Sequence, residues 1–232
     1  MPLHAITEVY GEEGLRERFA HEIARFPEAD RATLEQALAL AAALHAEQRR
    51  VREPYLNHLL RVTIRIVHYY RVDDVDVLVA ALLHDAAEDQ AYTLAGVPDD
   101  GQDPPTQAAL ARLGELFGPR VAELVAAVTN PKYTPDRHEH EQYREHLVES
   151  LERNPWARVI KISDFTDNGV GVIHTTGPKV SSSARKYRPL VPLFRELIPR
   201  SDTPLEPAVK DHIAQQIDLA EARFAAILDG TL

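Results

Sequence analysis

From Val75 to Leu83 the chain is apolar at every position but Asp76, and the run ends on His84-Asp85-Ala86-Ala87-Glu88-Asp89. A helix that apolar is usually buried, and burying charges without partners costs several kcal/mol each. If the helix continues through the motif, side chains three and four residues apart share a face. His84 with Glu88, Asp85 with Glu88 and Asp85 with Asp89 would then project together. A buried imidazole beside three carboxylates needs a compensating cation, and a divalent metal is the simplest candidate.

A lone His-Asp pair at a helix end is more often a cap or an ion pair than a metal site. This pair has company. Upstream lies Arg49-Arg50-Val51-Arg52-Glu53-Pro54-Tyr55-Leu56-Asn57-His58, and downstream lies Lys161-Ile162-Ser163-Asp164-Phe165-Thr166-Asp167-Asn168. Two neutral imidazoles and two carboxylates suit Mn²⁺, Fe²⁺, Co²⁺ or Zn²⁺. With no cysteine in the chain, a structural zinc site is not expected. We assign His58, His84, Asp85 and Asp164 as metal ligands. Glu88 and Asp89 then fall just outside them, where a carboxylate can orient or deprotonate an attacking water. His45, His68 and His174 are alternative ligands without a comparable acidic setting, and are read as satisfied or exposed. His138, His140 and His146 alternate with Arg137, Glu139, Glu141 and Arg144, a pattern that reads as a solvated polar face.

Helical periodicity runs through nearly every long segment. Expected helices cover Glu12 to Phe26, a stretch capped by Asp30 and ending near Gln48, and Asn57 to Tyr70 beyond the break at Pro54. Asp73 or Asp74 caps the helix leading to His84. Gly96 to Pro105 is a loop. Further helices are expected over Gln107 to Leu116, Pro119 to Val128, Asp136 to Arg153, Ser181 to Leu197 and Pro207 to Leu228. A short apolar stretch covers Trp156 to Asp164. Strand signals are sparse. The expectation is one all-α domain over residues 1–232, with the motif-bearing core at about 31–197 and a closing helix at about 207–228.

At 232 residues and 44% hydrophobic content the chain can bury one sizeable core. No stretch reaches the roughly 18–20 apolar residues of a membrane helix, and the N-terminus lacks the order of a signal peptide, so a cytoplasmic location is the default expectation. The net charge of −10 argues against general nucleic-acid binding. A small anionic ligand remains compatible if the cations are concentrated locally.

In their order along the chain, these motifs resemble the hydrolase domain of the RelA/SpoT alarmone family, within the HD-domain metal phosphohydrolases. In size the chain is similar to the stand-alone small alarmone hydrolases. The matching residues are His45, Arg49-Arg50, Pro54-Tyr55-Leu56-Asn57-His58, Ala80 to Asp89, Phe117-Gly118, Leu124-Val125, Val128-Thr129, Lys161 to Asp164 and Asn168.

The resemblance implies an all-helical HD-domain bundle and an Mn²⁺-dependent (p)ppGpp 3′-pyrophosphohydrolase, releasing pyrophosphate and GDP or GTP in the stringent response. It implies the same four metal ligands, with Glu88 and Asp89 as the catalytic acids. Arg49 would lie against the nucleotide, Arg50 would face its phosphates, and Asn168 would contact the nucleotide. Gln90 departs from the Thr usual after Glu-Asp, and Arg52 stands where Gly is common. Asp164-Phe165-Thr166-Asp167-Asn168-Gly169 departs from the usual Asp-Arg-Leu-His-Asn-Met. Two other readings are an HD-type phosphohydrolase of another nucleotide, such as an NADPH phosphatase or a nucleotidase, and a catalytically silent binding module. Retention of Glu88 and Asp89 argues against the silent module.

Overall fold

In the computed structural model, which describes residues 2–101 and 103–230, the periodic segments fold as helices. The order is α1 (Leu3–Ile23), α2 (Glu28–Leu44), α3 (Leu56–Ile64), α4 (Val75–Leu82), α5 (Ala86–Asp89), α6 (Ala91–Ala95), α7 (Thr106–Phe117), α8 (Pro119–Val128), α9 (Glu139–Arg153), α10 (Pro155–Gly169), α11 (Lys179–Tyr187), α12 (Val191–Leu197) and α13 (Pro207–Leu228). The fold is all-α, as expected. The sole β-type pairing among the described residues is an isolated bridge between Arg49 and Pro54. No described helix is long and apolar enough to cross a membrane.

Residues Val77 to Leu83 are completely buried, which is the fate their composition demands. Each Val or Leu buried this way contributes about 1.5–3 kcal/mol, so Leu78→Ala should cost about 2–5 kcal/mol once the cavity is included. Asp74 caps α4, its carboxylate accepting from Val77 N at 3.4 Å. α4 packs against α2, α3 and α8, while α10 packs against α3, α4, α8 and α13. The site therefore lies where α3, the end of α4 and α10 converge.

Several boundaries differ from the sequence expectation. α1 begins at Leu3, and Gly11 bends it with φ 65° and ψ −150°, a conformation that favours glycine. Pro27, not Asp30, precedes α2, and Asp30 lies in its first turn. α2 stops at Leu44, short of Gln48, because the chain turns back on itself: Tyr55 N donates to Gln48 O and Arg50 N to Glu53 O. α3 passes into a π-helical turn at Arg65–Tyr69. α9 starts at Glu139, three residues later than expected. α10 continues past Asp164 to Gly169, and a 3₁₀ turn follows at Val170–His174. The segment from Ser181 to Leu197 is split by a 3₁₀ turn at Arg188–Leu190, where Pro189 and Pro192 withhold backbone donors. The closing helix matches its expected bounds. The loop after Gly96 forms as expected, apart from Gln102, which lies outside the described residues.

The most consequential correction is at the motif itself. α4 ends at Leu82, Leu83 to Asp85 form a turn, and α5 holds only four residues. His84 and Asp85 therefore do not share a helix face with Glu88 and Asp89. His84 is buried and Asp85 partly so, whereas Glu88 and Asp89 are exposed. Both acids face solvent, three and four residues beyond Asp85.

Candidate metal centre

The turn at Leu83–Asp85 aims two donor groups at a third from α3. One donor atom each from His58, His84 and Asp85 lies within 4.8 Å of the others. His84 Nε2 is 3.2 Å and His58 Nε2 3.7 Å from Asp85 Oδ2. Asp164, on α10, joins them through Oδ1, at 3.3 Å from His58 Nε2 and 3.9 Å from His84 Nε2. The structure thus brings the four residues named from the sequence together, with His58, His84 and Asp85 as the tight group and Asp164 beside its two imidazoles.

The hydrogen bonds around the two imidazoles fit a metal. His84 Nδ1 donates to Ala81 O at 2.9 Å. A carbonyl only accepts, so the neutral ring keeps its proton on Nδ1 and offers the Nε2 lone pair. That Nε2 is buried and has no hydrogen-bond partner, an arrangement that otherwise carries a desolvation cost. His58 Nδ1 likewise donates to Asp167 Oδ2 at 2.9 Å, freeing Nε2 for the same centre. A divalent cation would satisfy both imidazole nitrogens and the carboxylates together.

The charges agree with this. Burial by itself would raise the Asp85 carboxyl, but the His84 and His58 imidazoles hold it below its ordinary value. Burial works the same way on Asp164, which the Lys161 ammonium at 2.8 Å and the neighbouring His58 hold well below the carboxylate range. Lys161 in turn is raised against burial, chiefly by Asp164. His58 is raised against burial and Arg50 by the neighbouring Asp164 and Asp167 carboxylates. A field that draws a proton onto a buried imidazole also favours a cation.

Asp164 is further engaged by Asn168, whose Nδ2 donates to Oδ1 at 2.5 Å, and Arg50 Nη2 donates to Asn168 Oδ1 at 2.5 Å. Arg50 also lies over the Tyr55 ring at 5.6 Å, and Tyr55 donates to Asp85 Oδ2 at 2.7 Å. Asn168 is therefore joined directly to Asp164, and Arg50 reaches the centre through Asn168 and Tyr55. Arg49 is exposed beside them on the turn, and so is Arg52. Glu88 and Asp89 are bound to different walls. Glu88 accepts from Asn130 N and Nδ2 at 3.2 and 2.8 Å, while Asp89 accepts from Gln48 Nε2 at 2.7 Å.

The alternative histidines stay apart from this group. His68 pairs with Glu22, and His174 with Glu8. His45 is not satisfied as expected: it is buried, stacks on Tyr55 and bonds Gln48 through Nδ1, but its Nε2 has no partner. His138 and His140 are exposed, and half-buried His146 bonds Thr129 O.

Reading the sequence for ligands overlooked the shell behind them. Asp167 is fully buried among His58, Arg61 and Arg65, and Glu53 closes the far side of Arg61 with two bonds of 2.7 Å. Its signal was spacing, because Asp167 follows Asp164 by three residues and Arg61 follows His58 by three.

The family profile described as HD domain matches residues 37–154, half of the chain. That span holds His58, His84, Asp85, Glu88 and Asp89 but stops before Asp164. Among curated proteins, mouse and human guanosine-3′,5′-bis(diphosphate) 3′-pyrophosphohydrolase MESH1 are each 34% identical over 137 residues, 57% of this chain and 65% of theirs. The Aquifex aeolicus guanosine-3′,5′-bis(diphosphate) 3′-pyrophosphohydrolase is 30% identical over 160 residues, 68% of this chain and 20% of that protein. The chain thus spans just under two thirds of the length of its MESH1 relatives. A solved structure described as a metazoan ortholog of SpoT that hydrolyzes ppGpp and plays a role in starvation responses aligns with a TM-score of 0.59 and 25% identity. It covers 84% of this chain and 99% of its own.

Proposed function

The chain belongs to the HD-domain family, and from that membership we propose that it is a divalent-metal-dependent hydrolase of guanosine 3′,5′-bis(diphosphate) and its pentaphosphate analogue. The 3′ group leaves as pyrophosphate, and GDP or GTP remains. The metal is Mn²⁺ in this reading, held by His58, His84, Asp85 and Asp164, and the substrate is a small anionic nucleotide. The observation that carries the reading is the buried, unpartnered Nε2 of His84, pointed at the space shared with His58, Asp85 and Asp164. The names of the MESH1 relatives and of the SpoT ortholog supply the substrate class.

When bound, the cation would polarise a phosphoryl oxygen and ease deprotonation of the attacking water. The chain's own residues do the remainder. Water adds to the 3′ phosphorus, the P–O3′ bond breaks, and the 3′ oxygen takes a proton as it leaves. Glu88 and Asp89 are the groups that accept and return protons, and both are exposed where water can reach them. Glu88 is oriented for this by two bonds from Asn130, and Asp89 by one from Gln48.

Arg50 and Asn168 bind the substrate next to the ligands, and exposed Arg49 lies against the base. A guanidinium can donate two bonds to phosphate or stack on a ring. In a chain of net charge −10, these cations supply the local positive field that a polyphosphate needs.

The test is to incubate chelated protein, with and without added Mn²⁺, with both guanosine alarmones, NADPH and ordinary nucleotides, and to identify every product. Metal-dependent release of pyrophosphate from the alarmones supports the proposal. Orthophosphate from NADPH, with no alarmone turnover, would replace it with the phosphatase reading.

A further inference from the structure

Asp167 has no place among the four ligands or the two exposed acids, yet its side chain is completely inaccessible to solvent. Its carboxylate accepts from His58 Nδ1 at 2.9 Å, from Arg61 Nε and Nη2 at 3.0 Å each, and from Arg65 Nη2 at 3.1 Å. Arg50 Nη1 lies at 3.6 Å, and His4 Nε2 reaches 3.5 Å from α1. The run that this chain resembles has His at this position, so the carboxylate is a feature of this sequence. Arg61 and Arg65 lie three and seven residues after His58, which returns both guanidinia to the His58 face of the helix.

We propose that Asp167 is a positioning residue for the metal centre: it holds the His58 ring with the proton on Nδ1, so that Nε2 is presented toward Asp85 and Asp164. The inference rests on the ligand role proposed above for His58. An ionised carboxylate can only accept, so this contact selects one tautomer and one ring orientation. Arg61 and Arg65 hold the Asp167 oxygens in place through their hydrogen bonds, and Glu53 anchors Arg61 from the other side. Asp167 also lies beside Arg50, which connects the orientation of His58 to the cation nearest the substrate.

A role confined to pairing the two buried arginines would lower stability but leave metal affinity in the folded protein unchanged. Mn²⁺ binding is therefore measured by calorimetry on wild type and Asp167→Asn, alongside thermal melts. The expected result is binding about 10- to 100-fold weaker in the folded variant, the usual effect of losing a partner behind a ligating histidine. Equal affinities would overturn the role of Asp167 and leave the ligand assignment standing. A wild-type protein that takes up no divalent cation would overturn both.

Should Asp167→Asn fail to fold, the wild type decides the matter. In Zn²⁺-loaded protein with ¹⁵N-labelled histidine, His58 should show an exchange-protected proton on Nδ1 and none on Nε2. A proton on Nε2 would overturn the proposal.

Discussion

Lowering the pH from about 7.5 to about 5 should cost the fold about 1–2 kcal/mol through His4 alone. The ring stacks on His174 at 4.2 Å, and its Nε2 is buried without a hydrogen bond. Gly171 lies against it so closely that a Cβ there would come within 2.6 Å of Nε2. Burial lowers the His4 pKa from 6.5 to about 4; Asp167 opposes the shift, and Arg61, His174 and Arg65 add to it.

Above 6.5 the ring is neutral both folded and unfolded, and pH has no effect through it. Between 6.5 and about 4 the unfolded chain takes up a proton that the folded protein refuses, so stability falls as the pH falls. The complete shift is worth about 3 kcal/mol, of which about 2 is expressed at pH 5. The side chain is 20% exposed, and solvent screening reduces the figure to about 1–2. Urea unfolding of chelated wild type and His4→Gln at the two pH values isolates the effect, because the other titrating groups are common to both proteins. The same pH dependence in the two would refute the reasoning.

Asp85→Ala should abolish hydrolysis and calorimetric Mn²⁺ uptake together, and an active, metal-binding variant would remove Asp85 from the centre. Glu88→Gln should keep metal affinity while kcat falls roughly 10²- to 10⁴-fold, the usual range for proton-transfer help; unchanged turnover would show that Glu88 is only a partner for Asn130. Arg50→Ala should raise KM and make it less sensitive to salt, and Arg49→Ala should weaken selection among nucleotides. If both match wild type across a salt series, neither arginine touches the substrate.

Much of the fold is legible in local patterning, because which face of a helix is buried is written in the period of its apolar residues. The burial of most of the Val75–Leu83 run and the bounds of Pro207–Leu228 follow from neighbouring residues alone, and the cap of α4 is narrowed to Asp73 or Asp74, of which the fold uses Asp74. The proposed ligands stand out in the sequence for a related reason: charged groups attached to apolar runs are costly unless something compensates them.

Periodicity does not record where a helix will break. His84 and Asp85 meet the other donors because α4 stops at Leu82 and turns, an outcome set by packing against α3 and α10. The partners of a buried group are equally hidden when they are distant in sequence. Asp167 acts on His58 across 109 positions and Arg50 on Asn168 across 118. The sequence by itself determined that these charges had to be paired. Only the tertiary structure decided with which partners, because a pairing energy depends on distances that chain folding alone creates.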